Sequence, residues 1–356
     1  GKVIMIAAAV VAVLVAAAAA VLVLRPHGES ATAARPRPSG TPSAAPSPTG
    51  VVPTSGLTAT RLPGVAATIY EHPDDPVALT YYQVWDAERK AWINYPRDSR
   101  TGPFTRSTKY WQMSISPDGR LASGRTKQYN SAGLHPIEII DRRTGEVTAV
   151  DTVRKPHTYD WPDWSADSSR LLLSMRTPAG QDGESWTTTG FIVVDVRAGT
   201  AKNVPIRDPA IRDGRFYWAG GHTVATAFTT DGRTGLRFYD LNGTVLRELP
   251  GVGAPYHTTT SLFSPAGRSF VTKCPGAEED VCVWDAASGR RVTRFSSRCI
   301  KILGWFDEGH LFCWTAGAAD RNRVTVVDLT GRPLRTLLTT TQADALGPHY
   351  TRVAPS

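Results

Sequence analysis

Residues 111–125 read WQMSISPDGRLASGR, with apolar positions on both sides of Ser116-Pro117-Asp118-Gly119. Pro presets φ at the second turn position, Asp hydrogen-bonds the turn backbone and Gly tolerates positive φ. The pattern therefore predicts two short strands joined by a tight turn. Residues 137–150, IEIIDRRTGEVTAV, predict a second pair, with Asp141 and Gly145 shaping the hairpin between Ile140 and Glu146. Four strands within residues 111–150 make one antiparallel sheet.

The sheet recurs along the chain. An apolar run ending in Asp appears as YYQVWD, IEIID, FIVVD, LRFYD, VCVWD and VTVVD. Its Asp residues are Asp86, Asp141, Asp195, Asp240, Asp285 and Asp328, spaced 55, 54, 45, 45 and 43 residues. The turn half recurs as ISPDG at 115–119, WSADS at 164–168, WAGGH at 218–222, FSPAG at 263–267 and WFDEG at 305–309. A period near 45 with four strands per unit predicts an all-β fold, a β-propeller.

The W/F-S-P-D-G-R turn, paired with an apolar run and D-x-x-T-G, resembles the TolB-type, WD-like propeller repeat. The resemblance covers residues from about 60 to 356 and implies that fold, used for protein or ligand binding. It assigns no catalytic residue, because the repeated residues are turn-formers. The fourth unit has Ala219-Gly220-Gly221 in place of the Ser-Pro-Asp-Gly turn, and the first unit lacks the turn.

The uncharged run from Val3 to Leu24 is 22 residues, roughly 33 Å as a helix, and is long enough to cross a bilayer. It is read as a single-pass anchor. The alternative, a cleaved signal peptide ending near Ala31-Thr32-Ala33, fits less well because its apolar core is usually about 7–15 residues. Position 1 is Gly, so cytoplasmic residues are expected upstream. Residues 25–56 are rich in Pro, Ser, Ala and Thr without an aromatic residue, and read as an extended linker. Residues 57–356 then form the propeller, placed on the extracytoplasmic side of a bacterial cell membrane. The ratio of 32 Arg to 8 Lys fits a GC-rich genome.

A propeller leaves an open sheet edge unless its ring closes. Residues 348–353, PHYTRV, resemble residues 255–260, PYHTTT, which open the fifth unit. The C-terminus is therefore expected to supply the innermost strand of the first blade, beside strands from Val65 to Tyr70, Tyr81 to Trp85 and Ala91 to Tyr95. That gives six blades, or seven if Leu57 to Leu62 starts another sheet. Trp111, Trp164, Trp218, Trp284 and Trp305 are expected to pack between blades.

Net charge is +8, of which residues 1–56 carry +3, and no dense Lys/Arg block occurs, so nucleic-acid binding is unsupported. No G-x-S-x-G, H-E-x-x-H, Walker loop or C-x-x-C is present, and no cofactor or metal is expected. Four cysteines allow three pairings. Cys274 and Cys282 flank a short connection and can face each other across a hairpin, leaving Cys299 with Cys313; buried thiols are the other reading. The candidate binding residues lie where inner strands enter the channel: Tyr110, His157, Tyr159, Tyr256, His257, Arg298, His349 and Tyr350. Rings with polar tips suit a concave ligand surface, or they plug the channel. The favoured function is a membrane-anchored binding or scaffold propeller, not an enzyme, taking an unknown protein or small ligand at its mouth. Alternatives are the sensor ectodomain of a larger receptor, such as a kinase, and a lactonase-like hydrolase.

Overall fold

The computed structural model describes residues 50–179, 185–296, 298–317 and 321–353. The run from Val3 to Leu24 and most of the linker lie outside the described residues. Four strands come first: β1 (Thr58–Arg61), β2 (Ala67–Glu71), β3 (Val77–Asp86) and β4 (Ala91–Pro96). The second blade is β5 (Gln112–Ile115), β6 (Leu121–Arg125), β7 (Leu134–Asp141) and β8 (Val147–Arg154). The third is β9 (Thr158–Trp164), β10 (Arg170–Pro178), β11 (Trp186–Asp195) and β12 (Thr200–Pro205). The fourth is β13 (Tyr217–Trp218), β14 (Thr223–Thr230), β15 (Arg233–Asp240) and β16 (Val245–Leu249). The fifth holds β17 (Ser269–Cys274), β18 (Ala277–Asp285) and β19 (Arg291–Ser296), with Phe263 bridged to Phe270 on the inner side. The sixth is β20 (Cys299–Trp305), β21 (His310–Thr315), β22 (Asn322–Asp328) and β23 (Pro333–Thr340). Finally β24 (Leu346–Arg352) returns to pair with β3.

The apolar runs are continuous because both faces of each middle strand are buried. Side chains alternate across a strand, so successive residues meet different neighbours. In β11, Phe191 and Val193 pack toward the fourth blade, while Ile192 and Val194 pack toward the second. In β18, Val281 and Val283 pack toward the sixth blade, and Cys282 and Trp284 toward the fourth. Six apolar clusters result, one at each blade-to-blade interface.

The turns carry the expected chemistry. Ser116 donates its hydroxyl to Asp118 (2.6 Å) and accepts from Leu121 N (2.9 Å), and Gly119 sits at φ 70°. Ser165 and Asp167 repeat this in the third blade, with Ser168 at φ 60° in the glycine position. The fifth blade has Ala266 where Asp is required, and the sixth supplies the missing carboxylate. Glu308 accepts from Ser264 Oγ (3.1 Å) and Ala266 N (2.5 Å), so the substitution ties two blades together.

Ring closure differs from expectation in one strand. β24 is the inner strand of the first blade as expected, beside β3 and then β4. The segment from Val65 to Tyr70 does not join that blade. Its strand, β2, pairs with the outer edge of β23, and β1 pairs with β2, so the sixth sheet has six strands. Leu57 to Leu62 therefore starts no seventh blade. Adding both strands to the sixth blade covers its edge while leaving β3 free for the C-terminus. Where other blades have a turn between their first two strands, the first has Val353 N donating to Pro76 O (3.0 Å).

This connectivity also shifts Asp86 out of the periodic series. Asp141, Asp195, Asp240, Asp285 and Asp328 accept from backbone amides in turns between third and fourth strands. Asp86 does the same between the second and third, at the opposite end of the blade.

Three tryptophans link neighbouring inner strands through their indole N–H. Trp164 donates to Ser114 Oγ (2.9 Å), Trp218 to Asp163 O (2.9 Å) and Trp305 to Leu262 O (3.0 Å). Trp284 is buried between the fourth and fifth blades. Trp111 departs from expectation and is 47% exposed, because Tyr110 occupies the buried position beside it. Cys274–Cys282 and Cys299–Cys313 are both disulfide-bonded, each joining adjacent strands, with Cα separations of 5.0 and 5.5 Å.

Candidate functional site

The inner strands enclose a cavity of about 1310 Å³, walled by residues from all six blades. Its centre is built by β9. The pairing of β9 with β10 slips between Asp163↔Leu172 and Asp160↔Ser174, so Trp161 and Pro162 form a bulge. Pro162 has no amide to lose from the ladder, which suits it to that place. Trp161 sits at φ 56°, a conformation that costs a bulky residue on the order of 1–3 kcal/mol, and its ring lines the cavity.

Two guanidiniums flank that ring: Arg176 lies 5.1 Å and Arg215 5.7 Å from its centroid. Arg176 and Arg125 share Asp160, at 3.8 and 2.6 Å respectively. Arg215 forms no ion pair among the described residues. It lies 4.9 Å from the Tyr217 ring centroid, and Nη1 donates to Thr259 O (3.0 Å). Its buried Nε meets no acceptor, and Nη2 donates to no group among the described residues.

The field of Arg215 reaches the rest of the cluster. Burial pushes the Asp163 carboxyl up to about 6, against Arg215 and the Trp218 amide, which pull it down. His349 stacks on Tyr81 with centroids 4.0 Å apart. Burial, reinforced by Arg215, lowers the His349 imidazole to about 3 and keeps it neutral. Tyr81 is raised by burial and stays protonated. The cavity wall therefore combines a cation without an ion pair, a carboxyl raised to about 6, the neutral Tyr81, Gln112 and His349, and the Trp161 indole.

Of the eight sequence-derived candidates, the structure places His257, His349 and Tyr350 on the cavity wall. Tyr110, Tyr159 and Tyr256 are buried between blades, donating to Glu138, Pro136 O and Asp280 O. His157 bonds Thr177 Oγ1 (2.7 Å), and Arg298 is exposed; neither lines the cavity. The eight do not share one rim. Trp161, Asp163, Arg215, Tyr81 and Gln112 went unnoticed in the sequence. The one local signal was Trp161-Pro162 inside a strand pattern, since Pro there implies a bulge. Among the described residues no group of three or more His, Cys, Asp or Glu side chains is placed to hold a metal ion. Among them, too, no helix is long and apolar enough to cross a membrane.

No protein-family model matches the sequence, and no curated protein matches it significantly. Solved structures similar to it include TolB from Acinetobacter baumannii, at 15% identity and a TM-score of 0.49, covering 80% of this chain and 68% of that one. A putative TolB from Agrobacterium tumefaciens is 13% identical, with a TM-score of 0.44 over 76% of this chain and 97% of that one. An oligogalacturonate lyase in complex with manganese is 14% identical, with a TM-score of 0.47 over 78% and 83%. The sheet topology decides the architecture. The chain is a six-bladed β-propeller. At these identities the propeller's likeness to its neighbours is one of fold.

Proposed function

We propose that the chain is a membrane-anchored, extracytoplasmic propeller that binds a partner or ligand through its central channel and performs no catalysis. The observation that carries this reading is the open channel with Arg215 unpaired inside it. A guanidinium whose donors are left largely unmet in a protein wall costs free energy unless a ligand completes it. The two disulfides support an oxidising compartment, where such bonds persist. The run from Val3 to Leu24 supports the anchor by its length alone.

The test is photo-cross-linking in intact cells, with a photoreactive residue in place of His257 on the channel wall or of Arg298 outside it. An adduct at position 257 and none at 298 is expected. The same adducts at both positions, or none at 257, would remove the channel as the binding surface.

A further inference from the structure

We propose that the channel holds a small carboxylate ligand, its anionic group on Arg215 and its apolar body against the ring of Trp161. The proposal rests on the reading of the channel as the module's binding site and names the chemistry of what enters it. A guanidinium has five N–H donors, and at Arg215 a single acceptor, Thr259 O, is met. Arg176 and Arg125, by contrast, are both partnered by Asp160. Arg215 lies over the rings of Trp161 and Tyr217, 5.7 and 4.9 Å from their centroids, on the wall of the cavity. A planar fork of this kind matches a carboxylate better than a point charge would.

Trp161 sets the body of the ligand. Its backbone is held in the left-handed region by the bulge with Pro162, and its ring is turned into the cavity instead of packing between blades. Such conformations persist where surrounding structure enforces them, and an indole face on a cavity wall favours a flat apolar group. Neutral groups on the same cavity wall, Gln112, Tyr81 and His349, can hydrogen-bond a ligand without adding charge. Asp163 is the opposing element, a carboxyl that competes for the same cation.

The test is calorimetric titration of the full chain with benzoate, acetate and inorganic phosphate at pH 7.5. Benzoate is expected to bind saturably and more tightly than either other anion. Arg215→Gln should weaken it by about tenfold or more, the usual scale for losing one charged hydrogen-bonded contact. Arg298→Gln, outside the channel, should leave it unchanged. Should Arg215→Gln fail to fold, Asp163→Asn serves instead. Removing the competing charge should tighten benzoate by about threefold or more. Phosphate binding as tightly as benzoate, benzoate affinity indifferent to both channel variants, or no saturable binding at all would overturn the proposal. Any of these with cross-linking at position 257 intact would remove the carboxylate site alone; loss of the cross-link would remove the wider reading.

Discussion

Asp163 is where the physics of the channel is easiest to measure. The folded state holds its carboxyl at about 6, whereas an unfolded Asp titrates near 3.8. Between those values the native chain keeps a proton that the unfolded chain has released, so stability falls as pH rises from about 4 to about 6 and is level above. Asp163→Asn removes that loss while keeping an oxygen for the Trp218 amide. It is expected to stabilise the protein by about 1–3 kcal/mol at pH 7.5 and to change nothing at pH 4, by urea unfolding at each pH. Equal effects at both pH values would contradict the assignment. His349 acts in the other sense: held at about 3, it stays neutral while an unfolded His takes up a proton, so its contribution is intact above about 6.5 and is lost as pH falls. Comparing the variant with the parent cancels that term. These groups were not legible in the sequence. Asp163 and Arg215 are 52 positions apart, and what joins them is the packing of β9 against the segment that leads into β13, which no local pattern encodes.

At the scale of elements, the sequence was read well where chemistry is local. Ser-Pro-Asp-Gly turns, Asp-capped hairpins and both cysteine pairs came out as expected, because each is set within a few residues. The cysteine bridges close short loops of 8 and 14 residues. Replacing either pair by Ala should cost about 3 kcal/mol, read from the urea midpoint, and an unmoved midpoint would contradict a stabilising role. What sequence missed was the partner of β2. A short strand with one buried face fits several edges, and the choice is made by a distant ion pair. Arg335 in β23 donates twice to Asp75, at 2.5 and 2.6 Å, with the side chains only 2% and 4% exposed. Arg335→Ala strands a buried carboxylate and is expected to cost about 3–5 kcal/mol. Arg332→Ala removes an exposed partner of Asp328 and should cost less than about 1 kcal/mol. Equal losses by denaturant titration would show that the β2 latch does not depend on Arg335.

The propeller closes by exchange between its first and last strands. β1 and β2 cover the sixth blade and β24 completes the first, so the first and last described strands together seal one interface. Closure leaves a central cavity walled by all six blades, and this shape underlies the proposal that the propeller works by binding outside the cell. Because both cysteine pairs are bonded, a single introduced thiol reports on compartment and channel together. His257 is exposed on the cavity wall. The most direct measurement is labelling of His257→Cys in intact cells with a membrane-impermeant maleimide. Labelling without permeabilisation is expected, at a rate close to that of an exposed thiol. Labelling that appears only after lysis would contradict the outward-facing propeller, and no labelling even then would contradict the open channel.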